Sequence, residues 1–135
     1  WADDRQQARC QFRSVGLVVV YYRREFAYFR VSSTGSDYLY TYGKSDVADG
    51  RWHFVVAVND ACVVKLYVDG ILDGYGLSPG PMYGPAQPFN IGGFAADASN
   101  TTYEPVAGFV DEAFVTSQIL SEQQIRNLYC AKIPQ

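Results

Sequence analysis

Residues 49–70 read DGRWHFVVAVNDACVVKLYVDG. Trp52 to Val58 is apolar apart from His53, the pattern of a central strand covered on both faces. Asn59-Asp60-Ala61 is turn chemistry. Val63 to Val68 returns as a second strand, and Asp69-Gly70 is a strong signal for a tight hairpin turn. A hairpin of this kind cannot stand alone in water and needs further strands beside it.

The flanks supply them. Val15 to Tyr22 and Phe26 to Ser33 read as strands joined by Arg23-Arg24-Glu25. After the turn Thr34-Gly35-Ser36, the residues Tyr38, Tyr40 and Tyr42 alternate with Leu39 and Thr41, a period of two. Lys44 to Gly50 reads as a loop. Downstream, Gly74 to Pro88 carries four glycines and four prolines and reads as a long loop. Phe89 to Phe94 and Val106 to Val115 read as further strands, with a polar loop from Ala95 to Pro105 between them. Only the end is helical. Ser121-Glu122-Gln123-Gln124 is a capping box, and Ile125, Leu128 and Tyr129 give the helix an apolar side. The expected fold is all-β: a two-sheet antiparallel jelly-roll sandwich, with one short C-terminal helix lying across it.

Composition narrows the function. The chain has 135 residues, one domain's worth, with 48% hydrophobic residues and 11 Tyr, 8 Phe and 2 Trp. Lys plus Arg is 11 against 14 Asp plus Glu, a net charge of -3, without the basic surplus of a compact nucleic-acid binder. No apolar run approaches the ~20 residues of a membrane helix. The chain begins at Trp1 and reads as a processed product or a piece of something longer. Cys10, Cys62 and Cys130 are widely spaced, no CxxC pair exists and His53 is the single histidine, which argues against a four-ligand zinc site. The pairing of the cysteines stays open. A bond between Cys10 and Cys130 would tie the two ends together; three buried thiols is the other reading. No serine or cysteine neighbours His53 in sequence, so it reads as a packed, hydrogen-bonded side chain rather than a general base.

Three segments together resemble a known family: the laminin-G-like jelly rolls of the concanavalin A-like lectin/glucanase superfamily. They are Asp49-Gly50-Arg51-Trp52-His53-Phe54-Val55-Val56, then Leu66-Tyr67-Val68-Asp69-Gly70, then Asn90-Ile91-Gly92-Gly93 continuing through Gly108-Phe109-Val110-Asp111-Glu112 to Leu120-Ser121-Glu122, Ile125 and Leu128-Tyr129. Residues 15–43 fit as generic strands. The resemblance implies a single domain over residues 1–135 that lacks the family's N-terminal strands, one of which pairs with the strand expected at Val106 to Val115. The edge so exposed predicts pairing with a second copy, a homodimer. The resemblance also implies an extracellular or cell-surface location.

The expected function is non-catalytic binding of a glycan. Its contacts are Tyr38, Tyr40 and Tyr42 on one strand face, with Tyr28 and Arg30 on the neighbouring strand, because aromatic rings stack on sugars while hydroxyls bond their polar edges. The same tyrosines could instead form an aromatic core face, with Leu39 and Thr41 outward. The alternative function is protein–protein adhesion through a sheet edge or rim loops carrying Tyr75, Tyr83 and Tyr103. No cofactor is required. A structural calcium on Asp111 is what related glucanase-type jelly rolls imply, although backbone bonding by Asp111, with Glu112 toward solvent, explains the pair as well. Asp49-Gly50 and Asp69-Gly70 read as turns rather than calcium ligands. The E-x-D-x-E signature of the superfamily's glucanases is absent from the sequence. Asn100-Thr101-Thr102 is an N-glycosylation sequon.

Overall fold

Val63–Val68, apolar at every position but Lys65, settles into the middle strand of a three-stranded antiparallel sheet. A computed structural model describes residues 20–23, 26–31, 39–60, 62–78, 94–95, 102–103 and 107–132. The first sheet is β1 (Val20–Arg23), β2 (Phe26–Val31) and β3 (Leu39–Asp46), in that order. The second is β4 (Val55–Asn59), β5 (Val63–Val68) and β6 (Ile71–Leu77). A two-residue pair, β7 (Phe94–Ala95) with β8 (Thr102–Tyr103), stands apart from both. The helix α1 covers Glu122–Lys132. Mostly strands in two antiparallel sheets, with a short C-terminal helix, is the arrangement of a jelly-roll sandwich.

The two sheets share a core. Ala27, Phe29 and Thr41 of the first are buried, as are Val64 and Leu66 of the second. Phe29 and Val64 form the centre, with Ala57 packed against them. Each large side chain sequestered this way contributes about 1.5–3 kcal/mol.

Where β3 meets β6 the sheets approach very closely. A Cβ at Gly74 would overlap the Tyr42 carbonyl oxygen and lie 3.0 Å from its carbon, so only glycine fits. Two bulges face each other at this seam. In β2–β3 the register changes between Phe26↔Asp46 and Tyr28↔Tyr42, which places extra residues of β3 around Lys44. In β5–β6 it changes between Leu66↔Gly74 and Tyr67↔Leu72, which leaves Asp73 as the extra residue. The Asp73 carboxylate accepts the N–H of Lys44 at 2.8 Å, the N–H of Ser45 at 3.1 Å and the Ser45 hydroxyl at 2.6 Å. Donors displaced from one ladder are thus satisfied from the other sheet.

The Asp69-Gly70 turn has positive φ at both residues, 51° and 78°, as a two-residue primed hairpin requires. Helix α1 sits on it. Ser121 Oγ accepts the Gln124 N–H at 3.2 Å and Gln124 Oε1 accepts the Ser121 N–H at 2.8 Å, completing the capping box. Ile125 is fully buried, the Tyr129 ring lies 6.2 Å from Phe54, and Tyr129 crowds Gly70.

Several expectations are corrected. Trp52 is exposed and the strand begins only at Val55, in β4, which is an edge of its described sheet rather than a centre. β3 runs through Asp46, into the expected loop, because its bulge is held by Asp73. Gly74 to Leu77 belongs to β6: its glycines serve close packing rather than a loop. Within 107–120 no strand forms. Glu112 sits there at φ 52°, in the left-handed region, which interrupts any extended run. The short β7 starts at Phe94, where the expected strand ends. Cys130 is a free, exposed thiol, so it is not bonded to Cys10, whereas Cys62 is disulfide-bonded. Three buried thiols are likewise overturned. Cys10 lies outside the described residues.

Candidate functional site

On the face of the first sheet opposite the core, the antiparallel register pairs Tyr28 with Tyr42 and Arg30 with Tyr40. Inward-facing Thr41 alternates with outward-facing Tyr40 and Tyr42, so the aromatic core reading is overturned. The Tyr40 and Tyr42 rings are nearly parallel, 14° apart, with centroids 6.0 Å from each other. Tyr28 packs against both, at 5.9 and 5.6 Å. Tyr28 is only 7% exposed and acts as the floor, while Tyr40 and Tyr42 are 44% and 61% exposed. Two large amphipathic rings are therefore held open to solvent on an ordered strand. Arg30 shares their register as a backbone position, and Tyr38 lies outside the described residues.

Among the rim-loop candidates, Tyr75 is in β6, strongly exposed, and Tyr103 is in β8, so neither belongs to a loop. Tyr83 and the Asn100 sequon residue lie outside the described residues. Exposed apolar side chains also mark β6 at Ile71, Leu72 and Leu77, and the segment 107–120 at Phe109, Val110, Phe114, Val115 and Ile119.

A second constellation forms between the two Asp-Gly turns. His53 Nδ1 lies 2.8 Å from Asp69 Oδ2, and its Nε2 lies 3.0 Å from Asp49 Oδ1. Asp69 Oδ1 also accepts the Phe54 N–H at 2.9 Å. Asp49 accepts the Arg51 backbone N–H at 2.9 Å and pairs with the Arg51 guanidinium. Burial of the imidazole opposes its charge, but the hydrogen bonds and charges of Asp49 and Asp69 outweigh this and hold the His53 pKa above 6.5. The Arg51 guanidinium and the His53 ring hold the Asp49 carboxyl well below the usual carboxylate range. Both aspartates keep the turn roles read from sequence; their meeting on one histidine was not legible there.

Asp111 is exposed and its carboxylate accepts the N–H of Glu112 at 2.8 Å. Among the described residues there is no group of three or more His, Cys, Asp or Glu able to hold a metal. The contact with Glu112 gives Asp111 a local capping role on the backbone of the next residue. No described helix is long and apolar enough to cross a membrane.

A family model of the laminin-G type, described as the concanavalin A-like lectin/glucanases superfamily, matches residues 4–126. Comparison with curated protein sequences gives no match. Among solved structures, the chain is similar to an S-layer domain-containing protein (residues 221–444) from Clostridium thermocellum, at 19% identity and a TM-score of 0.49. The match covers 77% of this chain and 51% of that one, so the chain spans about half its length.

Proposed function

The chain belongs to the concanavalin A-like lectin/glucanases superfamily, and from that premise we propose that it is a non-catalytic glycan-binding module of an extracellular or surface protein. The observation that carries this reading is the exposed pair Tyr40 and Tyr42, ordered on the Tyr28 floor. Apolar faces of sugar rings stack on such rings, and the phenol groups offer donors and acceptors to sugar hydroxyls. The disulfide at Cys62 supports an oxidising, extracellular setting.

A glycosidase needs a carboxylic acid of raised pKa facing a second carboxylate across the substrate. Asp49 and Asp69 do face one another, but the His53 ring fills the space between them and Asp49 is shifted downward. This arrangement supports binding rather than hydrolysis.

The test is a glycan array followed by titration calorimetry against the best ligand. Tyr42→Ala and Tyr40→Ala should each weaken binding about tenfold, roughly the loss of one aromatic contact. Binding unchanged in both variants would overturn the assignment of the site. The second reading, protein adhesion, is favoured by the exposed Ile71, Leu72, Tyr75 and Leu77 of β6. A dimer through an open edge belongs to that reading, and light scattering at rising concentration tests it.

A further inference from the structure

We propose that His53 is a proton-operated clasp: in its charged form it ties the 47–52 loop, with Trp52, to the Asp69-Gly70 turn, and in its neutral form it lets that loop go. The geometry dictates the two states. Both ring nitrogens face carboxylate oxygens, at 2.8 and 3.0 Å. Only an imidazolium has a hydrogen on each nitrogen, so only it satisfies both contacts. When a proton leaves to solvent, one nitrogen presents a lone pair to a carboxylate oxygen, and that contact becomes repulsive.

The contact that fails is the one to Asp49. Asp69 is fixed independently by the Phe54 N–H, and the Asp69 N–H returns to the Phe54 carbonyl at 2.8 Å. Among the described residues Asp49 has no comparable anchor outside its own loop; its remaining partners there are the Arg51 backbone and guanidinium. Release of Nε2 therefore separates the loop from the turn while β4 and β5 stay paired. Trp52 moves with it, since it adjoins His53 and is 69% exposed.

The charged groups around the ring agree with this assignment. The loop contributes Asp49 and Arg51, the β5–β6 turn contributes Asp69, and Asp46 at the end of β3 acts on Arg51. Helix α1 approaches the same turn with Arg126 and Tyr129, but the Arg126 guanidinium is held by Glu122 at 2.6 Å. Among the described residues, two carboxylates thus touch the imidazole directly and no cation does. The side chain is 12% exposed, enough for exchange with solvent protons.

Because His53 is the single histidine, its ring resonances report its titration without assignment. Trp1→Phe leaves Trp52 as the sole tryptophan. Fluorescence anisotropy of Trp52 and the His53 ring signals are followed together from about pH 5 to pH 9, spanning the histidine range. The expected result is a fall in anisotropy with a midpoint above 6.5 that coincides with the ring titration. Asp49→Asn, on the exposed loop, should abolish the Trp52 step and lower the ring midpoint. His53→Gln should give a flat profile, with circular dichroism verifying the fold. A ring that titrates while Trp52 stays unmoved overturns the proposal, as does a Trp52 step that survives Asp49→Asn.

Discussion

Replacing Asp73 tests the reading that the two sheets are held together by one carboxylate set between two bulges. Asp73→Ala removes the acceptor for the N–H groups of Lys44 and Ser45 and for the Ser45 hydroxyl. A hydrogen bond to a charged group contributes about 1.5–3 kcal/mol, but the Lys44 amide is exposed, so water can replace that partner. The Ser45 donors are partly buried and are not so easily rehydrated. Their loss sets the expected destabilisation at about 2–3 kcal/mol. For a domain of this size that lowers the melting temperature by about 8–12 °C. Asp73→Asn keeps one carbonyl acceptor and should lose about half as much. Ser45→Ala removes a single hydroxyl donor, for about 1 kcal/mol. The assay is urea denaturation of each variant with the Cys62 disulfide intact, and the shift should appear in the midpoint with the slope unchanged. Amide exchange should accelerate at Ser45 first. An Asp73→Ala protein within about 0.5 kcal/mol of the parent would refute the reasoning, since surface changes alone fall in that range.

Other consequences follow from the same geometry. Gly74→Ala should cost about 1–3 kcal/mol, because its Cβ meets the backbone carbonyl of Tyr42. Gly76→Ala should cost less in the same melt, since it meets only the Thr41 hydroxyl, at 2.8 Å, on a side chain that can turn. The His53 contribution, about 1 kcal/mol for a partly exposed ion pair, has a defined pH window. With the folded pKa raised, it is fully present below pH 6.5 and disappears as pH rises through the folded value. His53→Gln should remove that dependence from a series of melts. Ser121→Ala should cost about 1 kcal/mol and fray the first turn of α1, measured by amide exchange at Gln124.

What the sequence disclosed was local. Val63–Val68, the Asp69-Gly70 turn and the Ser121–Gln124 box each carry their signal within a few residues, and each forms as read. The tyrosine alternation fixed that Tyr40 and Tyr42 share a face. It could not say which face meets the core, because that depends on the glycines of β6. The contacts of His53 and Asp73 reach across 16 and 28 residues respectively, and no pattern in one strand announces them. The apolar run at Val106 to Val115 had a strand's composition, but composition does not show the left-handed backbone of Glu112, which breaks the extended run.

The abutment of Gly74 on Tyr42 has a thermodynamic consequence for recognition. A segment that orders only when its ligand arrives spends part of the interaction on lost conformational freedom. The backbone beneath the tyrosine pair is wedged against the neighbouring sheet at Gly74 and tied two residues further on at Lys44. It cannot slide or twist without lifting one sheet from the other. A molecule landing on these rings therefore meets a surface whose ordering took place when the chain folded, and even a few shallow contacts can register as measurable affinity.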